Sequence, residues 1–260
     1  MRLNGKKVIV TGAGNGIGKE LVLTLLSKGA IVAGLDVNKA ALDALEEEVK
    51  SDRLKTYEVD VSKKSNIEGF YEKFKADFEY ADILINNAGI IQPFKNVVDL
   101  DDETIERVMN INFYGPMNLT RVFLKDLLKR PEAYVVNVSS MGGFFPFPSQ
   151  TVYGASKAAL KIFTEGLYAE LLNTHVKVMV VFPGGCATNI TKNSKVRVKK
   201  STGNSSYKMT PPWVAAEKIV KGIEKDKFKV FIGQDANFMR MFYKFNSKLA
   251  IKTINNAMNK

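Results

Sequence analysis

A serine, a tyrosine and a lysine in the middle of the chain could together move a proton on or off an oxygen atom. Tyr153 and Lys157 are four residues apart, which places them on one face of a helix. A phenol has a pKa of about 10, and an ammonium one turn away lowers that pKa by favouring the phenolate. Ser140 follows a predicted strand and adds a hydroxyl. This set indicates acid/base chemistry at an alcohol or carbonyl oxygen.

A glycine-rich turn near the N-terminus predicts a dinucleotide site. It follows the predicted strand 7–11, reads Gly12-Ala-Gly-Asn-Gly16-Ile-Gly18 and leads into a helix. Glycines let the backbone approach a pyrophosphate, which the N–H groups at the helix start stabilise. Glycines after a strand can also be simple turn formers, and this spacing is not the common Gly-x-Gly-x-x-Gly pattern. The strand, the glycines, the helix and a later acid together favour nucleotide binding.

Asp36, which closes the second predicted strand, bears on the choice of cofactor. Its carboxylate is placed to accept hydrogen bonds from the adenosine ribose hydroxyls. The same charge would repel a 2′-phosphate, and no arginine follows it. We therefore expect NAD rather than NADP, although Lys39 is close enough to weaken the preference.

The elements that must position these residues alternate between strands and helices. Strands are predicted at 7–11, 30–35, 54–59, 83–85, 134–138, before Pro183 and at 228–232, and helices at 19–26, 39–50, 103–129, from Thr151 and at 214–225. The pair Gly115-Pro116 should bend the long helix 103–129. Such alternation implies right-handed crossovers and a parallel α/β sheet with helices on both faces. Ligands of such sheets bind at the carboxyl ends of the strands, where Ser139 and Ser140 lie.

Composition places the chain among globular proteins of one domain. It has 260 residues, 45% of them hydrophobic, and no apolar run of the about 18 residues that span a bilayer. A single cysteine, Cys186, and a single histidine, His175, exclude an internal disulfide and the common Cys/His zinc site. We expect a cytoplasmic protein without a metal, whose chemistry comes from hydroxyls, amines and a bound cofactor.

The excess positive charge lies in the last quarter of the chain. Residues 192–260 hold 16 of the 38 Lys and Arg residues and only 4 of the 27 Asp and Glu residues. A uniformly basic protein would suggest nucleic acid as a partner, whereas this distribution predicts a neutral catalytic body with a basic appendage. Residues 192–208 carry six Lys and Arg residues and no acid, with Ser-Thr-Gly-Asn-Ser-Ser near the centre, which is typical of a mobile loop.

The C-terminal segment 236–258 has the pattern of a basic amphipathic helix. Arg240, Lys244, Lys248 and Lys252 recur every fourth residue, beside an apolar surface that includes Phe238. One interpretation is an interfacial helix on an anionic membrane. The other is a helix that packs on its own domain or on a second subunit, with its lysines in solvent.

In order and spacing, these motifs resemble the classical short-chain dehydrogenases/reductases. The resemblance spans roughly residues 5–232 and rests on Thr11-Gly-x3-Gly-Ile-Gly18, Asp60-Val61, Asn86-Asn-Ala-Gly89, Ser140, Tyr153-x3-Lys157 and Pro183-Gly184. It implies a Rossmann-type, doubly wound parallel sheet of about seven strands. We expect a catalytic domain at 1–235, including a substrate lid at 185–212, and a basic helical extension at 236–260.

The resemblance also implies a role for each matching residue. Tyr153 would be the acid/base, Lys157 would lower its pKa and bind the nicotinamide ribose, and Ser140 would bind the substrate oxygen. Asn112 would bend its helix and hold a water of the proton relay. The implied cofactor residues are Gly12, Asn15, Gly16, Ile17, Gly18, Asp36, Asp60, Val61, Asn87, Ala88, Gly89, Tyr153, Lys157, Pro183, Gly184 and Thr188, and the expected substrate residues are Ser140, Phe144 and Tyr153.

We therefore expect an NAD(H)-dependent oxidoreductase that interconverts a secondary alcohol and a ketone. Phe144, Phe145 and Phe147 precede the catalytic helix and favour an apolar substrate, steroid-like or long-chain, unless they are packing residues. The family implies a homodimer or homotetramer.

Two alternatives remain open at the level of sequence. One is a 3-oxoacyl carrier-protein reductase, with an acidic carrier protein that docks on the basic segments. The expected NAD preference disfavours this alternative, because such reductases usually prefer NADP. The other is a non-catalytic NAD-sensing or membrane-surface module on the same fold. The complete set of Asn112, Ser140, Tyr153 and Lys157 disfavours this second alternative.

Overall fold

Seven parallel strands form one sheet at the centre of the computed structural model, which describes residues 1–188, 190–194, 196 and 209–258. The strand order is β3-β2-β1-β4-β5-β6-β7, and every neighbouring pair is parallel. The order reverses between β1 and β4, which opens a crevice at the carboxyl ends of these strands. The strands are β1 Lys7–Thr11, β2 Ile31–Asp36, β3 Leu54–Glu58, β4 Ile83–Asn86, β5 Ala133–Val138, β6 Val176–Pro183 and β7 Lys229–Ile232.

Helices cover both faces of the sheet. Successive strand residues point to opposite faces, so Val8 and Val10 join one core and Ile9 joins the other. The helices are α1 Gly16–Ser27, α2 Lys39–Val49, α3 Lys64–Phe78, α4 Asp102–Met109, α5 Gly115–Leu127, α6 Thr151–Glu170, α7 Ile190–Asn193, α8 Pro212–Glu224, α9 Gln234–Phe245 and α10 Ser247–Met258. The predicted α/β doubly wound fold is confirmed.

The long helix predicted at 103–129 is interrupted by a π turn. The turn spans Asn110–Tyr114 and joins α4 to α5. The helical backbone continues across this turn, since Tyr114 and Gly115 keep right-handed helical dihedrals. Pro116 has no N–H to continue the hydrogen-bond ladder, so the irregularity lies directly before the Gly115-Pro116 pair, where the sequence predicted one.

No element was predicted for the segment that forms α3. Its Phe74 ring packs edge-on against Phe123 of α5, with 5.3 Å between ring centroids. Phe70 contacts the same ring at 5.8 Å. Apolar contacts with α5 and the sheet therefore stabilise this helix.

The C-terminal segment forms two helices where one was predicted. The backbone of Asn246 is extended, with φ of −151° and ψ of 97°, and ends α9. Its side-chain Oδ1 accepts the N–H of Leu249 at 3.0 Å and caps α10. Within the described ranges, no helix has both the length and the apolar character to cross a bilayer. Much of the predicted lid, 185–212, lies outside the described residues.

Candidate active site

Ser140, Tyr153 and Lys157 line one cavity of about 500 Å³ at the carboxyl ends of the strands. Ser140 lies just beyond β5, and its Oγ accepts the N–H of Gly142 at 3.0 Å. Tyr153 lies in the first turn of α6, and Lys157 follows one turn later. The helical spacing therefore brings the phenol, the ammonium and the hydroxyl to one wall.

Burial dominates the proton equilibria of this wall. Desolvation raises the pKa of Tyr153, and a hydrogen bond with Ser140 acts in the opposite direction. The ammonium of Lys157 donates to the backbone oxygen of Val138 at 3.0 Å, and its burial lowers the Lys157 pKa to about 8. The sequence argument predicted a lowered Tyr153 pKa, but here the cost of burying the phenolate is the larger effect.

Asn112 is buried and ties the segment after β4 to α6. Its Oδ1 accepts the N–H of Ile90 at 2.9 Å, and its Nδ2 donates to the oxygen of Ile90 at 2.9 Å and to Ser156 Oγ at 3.0 Å. A Cβ atom at Gly89 would lie 3.2 Å from Asn112 Oδ1 and 3.0 Å from Lys157 Nζ. Asn112 and Lys157 thus both lie beside Gly89, although Asn112 does not line the cavity.

The glycine-rich turn packs closely enough to require glycine at two positions. A Cβ at Gly18 would lie 1.9 Å from the backbone oxygen of Gly12, and Gly12 has a φ of +70°. Thr11 Oγ1 accepts the N–H groups of Asn87 and Ala88, each at 2.9 Å. The turn and the segment after β4 therefore form one rigid cradle at the start of α1.

Asp36 is fixed at the far end of the cavity by two backbone N–H groups. Its Oδ2 accepts from Gly14 at 2.9 Å and its Oδ1 accepts from Asn38 at 3.0 Å. Each carboxylate oxygen keeps further acceptor capacity for a ribose hydroxyl. Lys39, which weakened the expectation of NAD, forms an ion pair with Asp43.

Most of the predicted site residues line the cavity. These are Gly12, Asn15, Gly16, Ile17, Asp36, Asp60, Val61, Asn87, Ala88, Gly89, Ser140, Tyr153, Lys157, Pro183, Gly184 and Thr188. Gly18 and Asn112 lie behind the wall. Phe144 does not line the cavity either, because its ring packs against Phe182 and Phe231 at 5.4 and 5.9 Å between centroids. Phe144 is therefore a packing residue, which is the alternative that the sequence left open for it.

Several lining residues had not been predicted from the sequence. Ile90, Ile91, Ile190 and Cys186 give the cavity apolar walls, and Arg107 adds an exposed guanidinium. Burial raises the pKa of the Cys186 thiol to about 11, so the thiol stays protonated and acts as a packing group. Isolated residues in loops and at helix ends carry no periodic signal, so only the folded chain reveals them.

The donor set of the cavity fits a nicotinamide dinucleotide. The glycine cradle can take a pyrophosphate at the N-terminus of α1, since Gly12 and Gly16 line the cavity there and leave no side chain in it. Asp36 offers acceptors for ribose hydroxyls at one end, and the opposite end presents Tyr153 and Lys157.

Comparisons with known proteins agree with this geometry. Residues 6–199 match the family described as short chain dehydrogenase. The chain is 32% identical to a 3-oxoacyl-[acyl-carrier-protein] reductase, FabG, of Thermotoga maritima, over 77% of this chain and 82% of that protein. It is also 32% identical to 3beta-hydroxysteroid dehydrogenase 2 of Eggerthella lenta, over 72% of this chain and 74% of that protein.

Solved structures share the fold over nearly the whole chain. A short-chain dehydrogenase of Burkholderia cenocepacia in complex with NADP is 25% identical, with a TM-score of 0.82 over 98% of this chain and 99% of that one. A short-chain dehydrogenase/reductase of Burkholderia phymatum in complex with NAD is 22% identical, with a TM-score of 0.86 over 96% and 97% of the two chains.

Proposed function

The chain belongs to the classical short-chain dehydrogenases/reductases, which are nicotinamide-dependent oxidoreductases of CH–OH groups, and on this premise we propose that it interconverts a secondary alcohol and a ketone with NAD(H), using Tyr153 as the acid/base. One observation carries the proposal: Ser140, Tyr153 and Lys157 share a cavity with Asp36 and the glycine cradle. A bound nicotinamide would supply or accept the hydride.

Tyr153 is suited to donate a proton during ketone reduction. Burial raises its pKa, so the phenol is protonated at neutral pH and ready to transfer its proton to the substrate oxygen. Ser140 Oγ accepts the N–H of Gly142, and its own O–H, which hydrogen-bonds with Tyr153 here, can turn to donate to the same substrate oxygen. In alcohol oxidation the phenolate accepts the proton, so the oxidation rate should rise with pH.

Lys157 supports the phenolate when it forms. An ammonium has three N–H donors, and the bond to Val138 uses one of them. The remaining donors can reach a ribose hydroxyl, and the charge stabilises a phenolate one turn away. We assign to Asn112 the binding of a proton-relay water near Lys157, since both side chains lie beside Gly89.

The geometry around Asp36 supports NAD as the cofactor. Both of its oxygens are held in place by backbone N–H groups, so the carboxylate cannot turn away from a 2′-phosphate without losing these bonds. Lys39 is engaged with Asp43. A 2′-phosphate would therefore meet a fixed like charge, which is costly in a partly enclosed site.

The apolar side chains of the cavity wall support an apolar substrate. Ile90, Ile91 and Ile190 line the cavity, and the neutral thiol of Cys186 lies near Tyr153. Burial of a steroid-like or long-chain substrate against these side chains would be favourable. The apolar character comes from these residues and not from Phe144.

A ketone screen with NADH and NADPH tests the proposal. We expect oxidation of NADH to increase with the apolar size of the ketone. Tyr153→Phe should lower kcat by about 10²- to 10⁴-fold and leave NADH binding intact. Tyr168→Phe, a change of the same type at an exposed position of α6, serves as the control. Undiminished activity of Tyr153→Phe would remove the assigned proton transfer, and a preference for NADPH would remove the cofactor assignment.

A further inference from the structure

The two C-terminal helices carry an exposed apolar stripe. Phe238, Met241 and Phe245 of α9 and Leu249 of α10 are 62%, 67%, 89% and 49% exposed, respectively. Large contiguous apolar patches are uncommon on a soluble domain and usually mark a site of interaction. The stripe is therefore a surface that some partner covers.

The opposite side of α9 attaches the stripe firmly to the domain. Ala236 is fully buried, and the ring of Tyr243 packs against Phe145 with 5.6 Å between centroids. Asp235 accepts the N–H of Gly185, a cavity residue, at 2.7 Å. The exposed stripe thus lies on a helix that is anchored next to the cavity.

Positive charge borders the stripe along one flank. At about 100° per residue, Arg240 and Lys244 lie on the same side of α9, next to Met241. The basic series continues with Lys248 and Lys252, and none of the four forms an ion pair with a carboxylate in the part of the chain that is described. The sequence has no Asp or Glu after Asp235.

A second group of lysines extends the basic flank. Arg240 stacks on the ring of Phe231 at 4.3 Å, and Phe231 and Asn237 border a shallow depression between α8, β7 and α9. Five lysines surround that depression: Lys218, Lys221, Lys225, Lys227 and Lys229. The basic surface therefore runs from α8 across β7 to α9.

The helix α10 has little support from the domain. Of its described residues only Ala250 is buried. A helix of about 12 residues is marginal in water when it stands alone. A surface that receives its apolar residues would stabilise it.

We propose that α9 and α10 dock on an anionic lipid bilayer. The apolar stripe would enter the boundary between headgroups and acyl chains, and the basic flank would lie on the phosphates. A second copy of the chain fits less well, because a two-fold contact brings the same patch of each subunit together. The unpaired lysines would then face one another, and like charges across an interface are unfavourable. The inference is independent of the proposed catalytic role.

Vesicle sedimentation of the full-length protein tests the docking surface. We expect binding to phosphatidylcholine vesicles that contain phosphatidylserine, weaker binding in high salt, and none to phosphatidylcholine alone. Phe238→Ser with Phe245→Ser, and Lys244→Gln with Lys248→Gln and Lys252→Gln, should each weaken binding roughly tenfold to a hundredfold.

Matched variants separate this surface from general hydrophobicity and charge. Val98→Ser with Leu172→Ser changes comparably exposed apolar residues elsewhere, and Lys64→Gln with Lys73→Gln and Lys125→Gln removes the same charge elsewhere. Both controls should bind as the unmodified protein does, and circular dichroism should show every variant folded.

Failure of the unmodified protein to bind the acidic vesicles would overturn the proposal, as would equal losses in the test and control variants. Light scattering adds an independent reading. If the Phe238/Phe245 variant loses an oligomeric state while no variant binds vesicles, the stripe is an interface between copies and the lipid assignment is wrong.

Discussion

Oε1 of Gln92 accepts a hydrogen bond of 2.9 Å from the backbone N–H of Tyr153. Gln92 is fully buried, and its Nε2 donates to the backbone oxygen of Ser149 at 3.0 Å. N–H groups in the first turn of a helix have no acceptor within that helix. Gln92 therefore fixes the start of α6 and, through it, the place of the Tyr153 ring. It is a positioning residue.

Gln92→Met should lower kcat by about tenfold to a hundredfold, since a displacement of about 1 Å at a reacting group has effects of this size. The KM for NADH should change little, because the cofactor cradle is untouched. Thr164→Val is the control: it removes the buried hydrogen bonds of the Thr164 hydroxyl with Asn137 and with Leu160 of α6, away from the cavity. Steady-state kinetics and thermal unfolding of both variants give the comparison. If the two variants lose equal stability and equal kcat, Gln92 has only a structural role.

Asp36→Asn should shift the cofactor preference towards NADPH. The amide keeps the shape of the carboxylate but removes the charge that a 2′-phosphate would meet. We expect the ratio of kcat/KM for NADPH to that for NADH to rise by about tenfold or more. Asp60→Asn, at another carboxylate of the same cavity, should leave the ratio unchanged. An unchanged ratio in Asp36→Asn would mean that other residues select the cofactor.

The buried ammonium of Lys157 should make folding stability depend on pH. Burial lowers its pKa from 10.5 to about 8. Between these values the unfolded chain binds more protons than the folded one, so this contribution to the free energy of unfolding rises with pH. Below about pH 8 the folded chain bears the whole desolvation cost, of about 3 kcal/mol at most.

Urea unfolding of the cofactor-free protein measures this effect. The free energy of unfolding of Lys157→Met, minus that of the unmodified protein, should be largest at pH 7. This difference should fall steadily from pH 8 towards pH 10.5. Loss of the hydrogen bond to Val138 changes this difference by a constant amount and does not change its slope with pH. Lys73→Met, at an exposed lysine, should show no such slope. A difference that does not vary with pH would contradict the desolvation argument.

The same substitution at two glycines should have opposite effects. Gly18→Ala places a Cβ 1.9 Å from the oxygen of Gly12, so the start of α1 must move. We expect a loss of about 1–3 kcal/mol in stability and much weaker binding of NADH. Gly69→Ala, in α3, meets no atom within 4 Å and should stabilise the protein by about 0.5–1 kcal/mol. Chemical unfolding and NADH titration of the two variants test these expectations. Unimpaired NADH binding by Gly18→Ala would show that cofactor binding does not need the close contact between Gly18 and Gly12.

The strands and the residues at their ends were predictable from the sequence because both follow short-range rules. Apolar runs located β1, β2 and β5 to within one or two residues. In contrast, α3 was not predicted, and its packing depends on ring contacts with Phe123, a residue distant in sequence.

The parts of the site that escaped prediction depend on tertiary structure. Gln92 is one polar residue in a loop, and nothing local indicates that it meets Tyr153. The same holds for the protonation of Tyr153, because helical spacing places Lys157 nearby but cannot show how deeply the phenol is buried. Ile190 likewise joins the cavity only through the course of the chain after β6.

The π turn at Asn110–Tyr114 has a consequence for how this chain tolerates deletions. A π turn holds one residue more than an α-helical turn, so losing any one of these residues would restore regular winding. The whole of α5 would then rotate by about 100°, and Leu119 and Phe123 would leave the core. The angular phase of α5 and the location of Asn112 depend on the same additional residue. A deletion in this turn would therefore disrupt the packing of α5 together with this part of the site. A chain that remains stably folded should accordingly keep the site's geometry here.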